Sequence, residues 1–396
     1  MSSPSPVSAE PPPPGPPLRA LFQRRVDGDD ALLRLARLRF AQAGLAAEVY
    51  ADTPEQLEWV LGFAPSQPHL PVVHLGRHVN LLDERSRVVV QAFADRFAGQ
   101  VAGLVVHDKA EMAARTGDLL AGIRELGLPP DGPTLFLEYA AGLELDWFVE
   151  VAERLGDVPK AGACVDVGHV GIAKARASFS RAHPGLDLAA LDPADARLPE
   201  LAADVQAAVA SALPAVLGLL RSLGRAGKPL HLHLHDGHPL IPGLSDHFSF
   251  LTRVPVPFDH QGRRSLDPLY GPAGLAAIVR TAVEAAGRDA SLTLEIHQAE
   301  GRRPLGDAIS LFGHWRDRTN AERMNHWLAV LAENALLVTD ALDRAQHRRA
   351  DGHRPARLTR RWCRRSPGGG GRRGRCGGRT RGGRRAGPTA VGCPWR

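Results

Sequence analysis

From residue 46 to residue 342, short apolar runs alternate with longer amphipathic stretches, and most of the short runs end in His, Asp or Glu. Strands are predicted at 46–50 (AAEVY), 70–74, 102–107, 134–138, 162–166, 229–235, 254–258 (VPVPF) and 291–296. These runs are short, mostly rich in Val and Leu, and bounded by turn-forming residues. Helices are predicted at TPEQLEWVLGF, LLDERSRVVVQAFADRF, TGDLLAGIREL, LELDWFVEVAERL, LPELAADVQAAVASALPAVLGLLRSLG, GPAGLAAIVRTAVEAAG and TNAERMNHWLAVLAENALLVTDAL. Thr53 with Glu55 nearby, and Gly127 and Gly287 behind helical runs, act as start and stop signals. Eight strands separated by helices over about 300 residues predict a closed (β/α)8 TIM barrel, an α/β fold in a single domain. The run at 254–258 contains two prolines and also reads as a loop, and 175–199 reads as a loop insertion beside the rim.

In a parallel barrel the C-terminal ends of all strands meet at one rim. His74, His107, Glu138, Asp166, His169, His233 and Glu295 each stand at or just past such an end, in PVVHLG, LVVHDK, TLFLEY, ACVDVGH, LHLHLHD and LTLEIHQ. A single interior histidine is ordinarily a satisfied core residue, but a ligand-type residue recurring along successive runs predicts a metal centre. Carboxylate plus imidazole donors suit Zn²⁺, Mn²⁺ or a related divalent ion, in a number from one to three. Glu138, Asp166, His233 and Glu295 form the central set. Residues 231, 233 and 235 point to one side by the period of two, so His231 and His235 compete with His233 for the ligand position.

Charge changes the picture of partners. The stretch from Arg344 to Arg396 holds seventeen arginines and one acid, Asp351, which leaves −10 on the rest of a chain totalling +6. A folded body of that sign disfavours tight duplex binding, while the Arg/Gly tail offers nucleic acid a route of its own. Residues 1–17 are Ser/Pro-rich and 346–396 Arg/Gly-rich, and both read as disordered extensions flanking a catalytic domain at 30–345. The segment MSSPSPVSAEPPPPGPP lacks the features of a secretory signal, and no uninterrupted run of eighteen apolar residues occurs. Of four cysteines only Cys164 lies in the body, inside a predicted strand, as expected of a cytoplasmic protein without a disulfide framework.

The motifs resemble those of the xylose isomerase-like TIM-barrel superfamily, the sugar isomerases and epimerases together with the endonuclease IV group, over roughly 45–340. HLGRHVNLL is similar to an endonuclease IV segment with a ligand histidine ahead of Ile-Asn-Leu-like residues, here His74 and Val79-Asn80-Leu81. LVVHDK offers His107 as its second histidine, and EYAAG resembles Glu-Asn-Thr-Ala-Gly, making Glu138 the bridging carboxylate. CVDVGH resembles Cys-Ile-Asp-Thr-x-His, giving Asp166 and His169; HLHD resembles His-Leu-Asn-Asp, favouring His233; LTLEIHQ supplies Glu295. The Asp-Arg-His segment that completes a third site in endonuclease IV has no match in PFDHQGRRSLDPLYGPAG; Asp259 and His260 within it, or Asp246 and His247 ahead of it, are the candidate substitutes.

The resemblance implies one of two chemistries. In a sugar or sugar-phosphate isomerase or epimerase, Glu138 and Glu295 would exchange a proton with the substrate while His169 bonds a hydroxyl. Lys109, Arg253 or Arg263 would then hold a phosphate. In an endonuclease IV-like zinc phosphodiesterase acting at abasic sites in DNA, His74 and His107 would hold one ion and Asp166, His233 and Glu295 another. A third reading makes the barrel a non-catalytic body tethered by its tail. The body charge favours the isomerase and a small-molecule substrate. A membrane partner is not expected, and homo-oligomerisation stays open.

Overall fold

The computed structural model describes residues 16–21, 29–63, 69–191, 195–240, 249–250, 267–287, 290–295 and 320–352. The chain divides into two units, Met1–His353 and Arg354–Arg396, and all described residues belong to the first. Eight parallel strands close into a barrel in chain order: β1 Leu18–Leu21, β2 Ala46–Ala51, β3 Val72–Leu75, β4 Gly103–His107, β5 Thr134–Glu138, β6 Ala161–Asp166, β7 Leu230–Leu234 and β8 Ala290–Glu295. β1 pairs with β8 as well as β2, which removes every sheet edge. The predicted (β/α)8 barrel is thus present.

The helices are α1 Asp30–Gln42, α2 Pro54–Leu61, α3 Glu84–Arg96, α4 Thr116–Glu125, α5 Leu145–Arg154, α6 Val167–Ala182, α7 Leu198–Val209, α8 Ala212–Arg225, α9 Gly271–Ala286 and α10 Asn320–Gly352. Side-chain caps start several of them: Thr53 accepts from the Gln56 amide ahead of α2, and Asp83 from the Ser86 amide ahead of α3. Apolar faces of the helices and outward-facing strand residues such as Val73, Leu104, Leu135, Val165, Leu232 and Leu294 form one large core. A separate interior cluster of Val72, Val105, Phe136 and Cys164 fills the barrel below its rim. A Cβ at Gly103 would come within 2.5 Å of the Phe136 ring, so that glycine makes room for the large side chain opposite.

Three expectations change. The set of eight is completed by Leu18–Leu21, ahead of the expected domain start at residue 30, and 254–258 lies outside the described residues. This first strand is four residues long and carries buried Arg19, so it lacks an apolar signature. The insertion expected at 175–199 begins later, because α6 runs on to Ala182 and buries Ala175 and Phe179. The long apolar helix expected at 198–224 is two, separated at Ala210–Ser211. Together Leu198–Arg225 is long and apolar enough by composition to cross a membrane, but Val216, Leu219, Leu220 and Leu223 of α8 belong to the main core.

Asp236, just past β7, ties the barrel to α9. Its carboxylate accepts from the amides of Gly237 (2.9 Å), Tyr270 (3.2 Å) and Gly271 (2.7 Å), the last at the helix N-terminus. Asp236→Asn, which turns one acceptor into a donor facing an N–H, is expected to cost about 2 kcal/mol in urea unfolding. Burial outweighs the three donors and pushes the Asp236 carboxyl up to about 7. A folded-state pKa above the unfolded one gives stability that is present at low pH and lost as pH rises. Wild-type stability relative to Asp236→Asn should therefore fall from pH 5 to pH 7.5, and a rise would contradict this assignment.

Candidate metal centre

Alternation along the strands sorts the inward-facing residues into layers. The top layer holds Tyr50, His74, His107, Glu138, Asp166, His233 and Glu295, and the layer beneath holds Glu48, Val72, Val105, Phe136, Cys164, His231 and Thr293. Adjacent strands bring His107 opposite Glu138 and Asp166 opposite His233. All seven residues singled out in the sequence are buried and lie in or beside this top layer.

Glu138 stands at the middle. Its Oε2 is 3.1 Å from His74 Nε2 and 3.5 Å from His107 Nε2, while its Oε1 is 3.5 Å from His233 Nδ1. His233 Nδ1 also lies 3.0 Å from Glu295 Oε2 and 4.0 Å from Asp166 Oδ2. Donor atoms of His74, His107 and Glu138 fall within 4.8 Å of one another, as do those of Asp166, His233 and Glu295 and those of Glu138, Asp166 and His169. Glu138 Oε2 and His233 Nδ1 are buried without a hydrogen bond of good geometry. Buried polar atoms aimed at one another with no bond between them fit a ligand set for a cation.

Electrostatics point the same way. Burial alone would raise the Glu138 carboxyl, but the His107, His74 and His233 imidazoles hold it well below the usual carboxylate range. Burial lowers the His107 imidazole to about 3, leaving it neutral and able to donate a lone pair at neutral pH. For His74, burial works downward but is overcome by Glu138 beside it, which raises the imidazole.

The local chain explains how Asp166 and His169 are placed. β6 runs straight into α6, with Asp166 as both the last strand residue and the N-cap, accepting from the His169 amide at 2.7 Å. His169 therefore lies on the first turn, with Nε2 3.5 Å from Asp166 Oδ2. The other Asp166 oxygen accepts from His235 Nε2 at 2.8 Å, and a Cβ at Gly168 would overlap the His235 ring.

The competition among the three β7-segment histidines is resolved by these contacts. His233 faces the carboxylates through Nδ1, His235 holds Asp166, and His231 points down to Glu48 (2.8 Å) and Ser291 (2.9 Å). Two further residues escaped sequence reasoning. Tyr50 donates from its hydroxyl to Glu295 Oε1 at 3.2 Å, and Glu48 accepts from His231, His233 and Thr293 beneath the rim. A glutamate inside the fully buried strand AAEVYA was the available signal, since a buried carboxylate needs partners.

A cavity of about 310 Å³ opens above the centre, lined by Arg77, His107, Asp108, Lys109, Ala140, Ala141 and His169. Lys109, one of three phosphate-holding candidates, is on its wall; Arg253 and Arg263 lie outside the described residues, as do Asp246, His247, Asp259 and His260.

No protein-family model matches the chain, and no curated protein matches it. Among solved structures it is similar to the carboxyl transferase domain of Rhizobium etli pyruvate carboxylase, at 15% identity over 83% of this chain and 48% of that one, with a TM-score of 0.35. The same domain with 3-bromopyruvate gives 17%, 84%, 48% and 0.36, and the complete multifunctional enzyme gives 16%, 84%, 26% and 0.33. The chain thus spans about half the length of the first of these structures, or less. The (β/α)8 assignment rests on the closed strand ladder itself.

A bound ion should stabilise the fold by mass action. Zn²⁺ or Mn²⁺ at a hundredfold excess over its Kd is expected to add about 2.7 kcal/mol, read as a rise in Tm. Glu295→Gln should abolish most of that rise. A metal-independent Tm in the wild type would contradict the ligand assignment.

Proposed function

We propose that the chain is a divalent-metal-dependent enzyme of the xylose isomerase-like barrel type that hydrolyses a phosphoester, with two ions that residues on either side of Glu138 would hold. The division of Glu138 carries this reading: one oxygen faces His74 and His107, the other faces His233. A one-ion isomerase site would leave that first pair without an ion to hold. His74, His107 and Glu138 would hold one ion, and Glu138, Asp166, His233 and Glu295 the other. Divalent ions held there supply Lewis acidity toward the phosphoryl oxygens and toward water.

The protein groups supply position and charge. Arg77 and Lys109 put two cations at the cavity mouth of a body whose net charge outside the tail is −10, and so draw an anionic substrate to that spot. His169 lines the cavity wall; its Nδ1 donates to the Tyr139 carbonyl at 3.3 Å, which leaves Nε2 to accept a hydrogen bond from a substrate hydroxyl. In the net step water oxygen bonds to phosphorus, the ester P–O bond breaks, and the departing oxygen takes a proton. The acidic body favours a small phosphorylated substrate such as a sugar phosphate over duplex DNA. The single buried free thiol of the described residues, Cys164, suits a cytoplasmic setting.

The isomerase or epimerase reading keeps one specific observation in its favour. Glu138 and Glu295 both approach His233 Nδ1, at 3.5 and 3.0 Å, and could flank a sugar as base and acid around one ion.

The test is turnover by metal-loaded protein on aryl phosphomonoesters and diesters, sugar phosphates and an abasic DNA duplex. Release of phosphate or alcohol is expected, falling about a thousandfold in Glu138→Gln, the equivalent of several kcal/mol of lost transition-state stabilisation. Deuterium uptake from solvent into an intact sugar, with no ester cleavage, would overturn hydrolysis in favour of isomerisation. Lys109→Ala should raise KM about tenfold with little change in kcat, as expected for a charge-assisted contact made equally in ground and transition states.

A further inference from the structure

We infer that Glu48, beneath the rim, is the positioning residue that commits His233 to present Nδ1 to the metal ligand set. This rests on the metal reading above. His233 Nε2 lies 2.9 Å from Glu48 Oε1, and the opposite nitrogen, Nδ1, faces Glu138, Asp166 and Glu295. A carboxylate only accepts hydrogen bonds, so His233 must carry a proton on Nε2 to satisfy it. The Nδ1 lone pair is then free to enter the ligand set, and the ring is fixed in orientation.

Glu48 is itself held on both oxygens. Oε2 accepts from His231 Nε2 at 2.8 Å and from Thr293 Oγ1 at 2.6 Å, and Oε1 accepts from His233. His231 is in turn bonded through Nδ1 to Ser291, whose hydroxyl also contacts Arg19. The chain of contacts therefore runs from β1 through β8, β7 and β2 to the rim. Donor atoms of Glu48, His74 and His233 also lie within 4.8 Å of one another, a spacing compatible with direct ligation. The saturation of both Glu48 oxygens by N–H and O–H donors instead assigns it the role of holding a ligand. Glutamine does not reproduce it: its amide NH₂, turned toward His233 Nε2, would favour the tautomer with the proton on Nδ1 and so take that nitrogen out of the ligand set.

The test uses the full chain and zinc. Titration against a chromophoric chelator should find two tight ions in the wild type. Glu48→Gln should keep one and weaken the other by 10- to 100-fold, the usual effect of removing a carboxylate behind a ligand histidine. The ion it keeps should disappear on adding His74→Ala. Wild-type affinity for both ions in Glu48→Gln would overturn the inference, and so would loss of both ions at an unchanged Tm, which would make Glu48 a ligand. Long-range ¹H–¹⁵N correlation on the zinc-loaded wild type needs no variant at this position. The His233 signal, assigned by its absence in His233→Gln, should show the proton on Nε2; a proton on Nδ1 would overturn the inference even if Glu48→Gln fails to fold. A wild type that binds no zinc defeats the metal reading and this inference together, whereas the variant outcomes defeat this inference alone.

Discussion

The structure depends on neutralising carboxylates inside a closed barrel. Glu48, Glu138, Asp166 and Glu295 are buried at or below the rim, where an unpaired charge would be strongly unfavourable. Histidines reaching in from other strands accompany them: His231 and His233 of β7 for Glu48, His74 of β3 and His107 of β4 for Glu138, and His235 just past β7 for Asp166. Such an interior is a poor way to gain stability, because apolar side chains of the same volume would fill the space without a desolvation cost. The barrel bears that cost over two layers, and the return is a set of donor atoms held in place before any ligand arrives.

This constraint orders the rest of the fold. The helices and outward-facing strand residues form an ordinary apolar core, and the interior cluster of Val72, Val105, Phe136 and Cys164 adds packing beside the buried polar groups. Inside the barrel, among the described residues, polar side chains gather at the rim and on one connected path beneath it through Glu48, His231, Ser291 and Arg19. This path fixes His233, because its ring cannot turn without breaking the buried contact to Glu48 below it.

Much of this was legible in the sequence, for identifiable reasons. Parallel strands ending at a shared rim turn a linear recurrence of His, Asp and Glu into a spatial cluster, so the seven residues from His74 to Glu295 could be named from strand ends alone. Periodicity also placed His231, His233 and His235 on one side, but it could not rank them, because the ranking depends on which carboxylate each ring meets across the barrel. Glu48 was missed because it sits in the middle of its strand, below the level where strand-end reasoning looks. Leu18–Leu21 was missed for a related reason: buried Arg19 interrupts its apolar pattern, and it is recognisable only through pairing with β2 and β8.

The junction at Asp166 carries a further consequence. At most barrel strands a loop separates the rim residue from the following helix, and loops of this kind are where new specificities arise by insertion and drift. Between β6 and α6 there is no such segment, because one carboxylate ends the strand, starts the helix and faces the centre. That sector of the rim is closed to remodelling by loop variation. A lineage that diversified on this scaffold would be free to rewrite its other connections, and would inherit this corner unchanged.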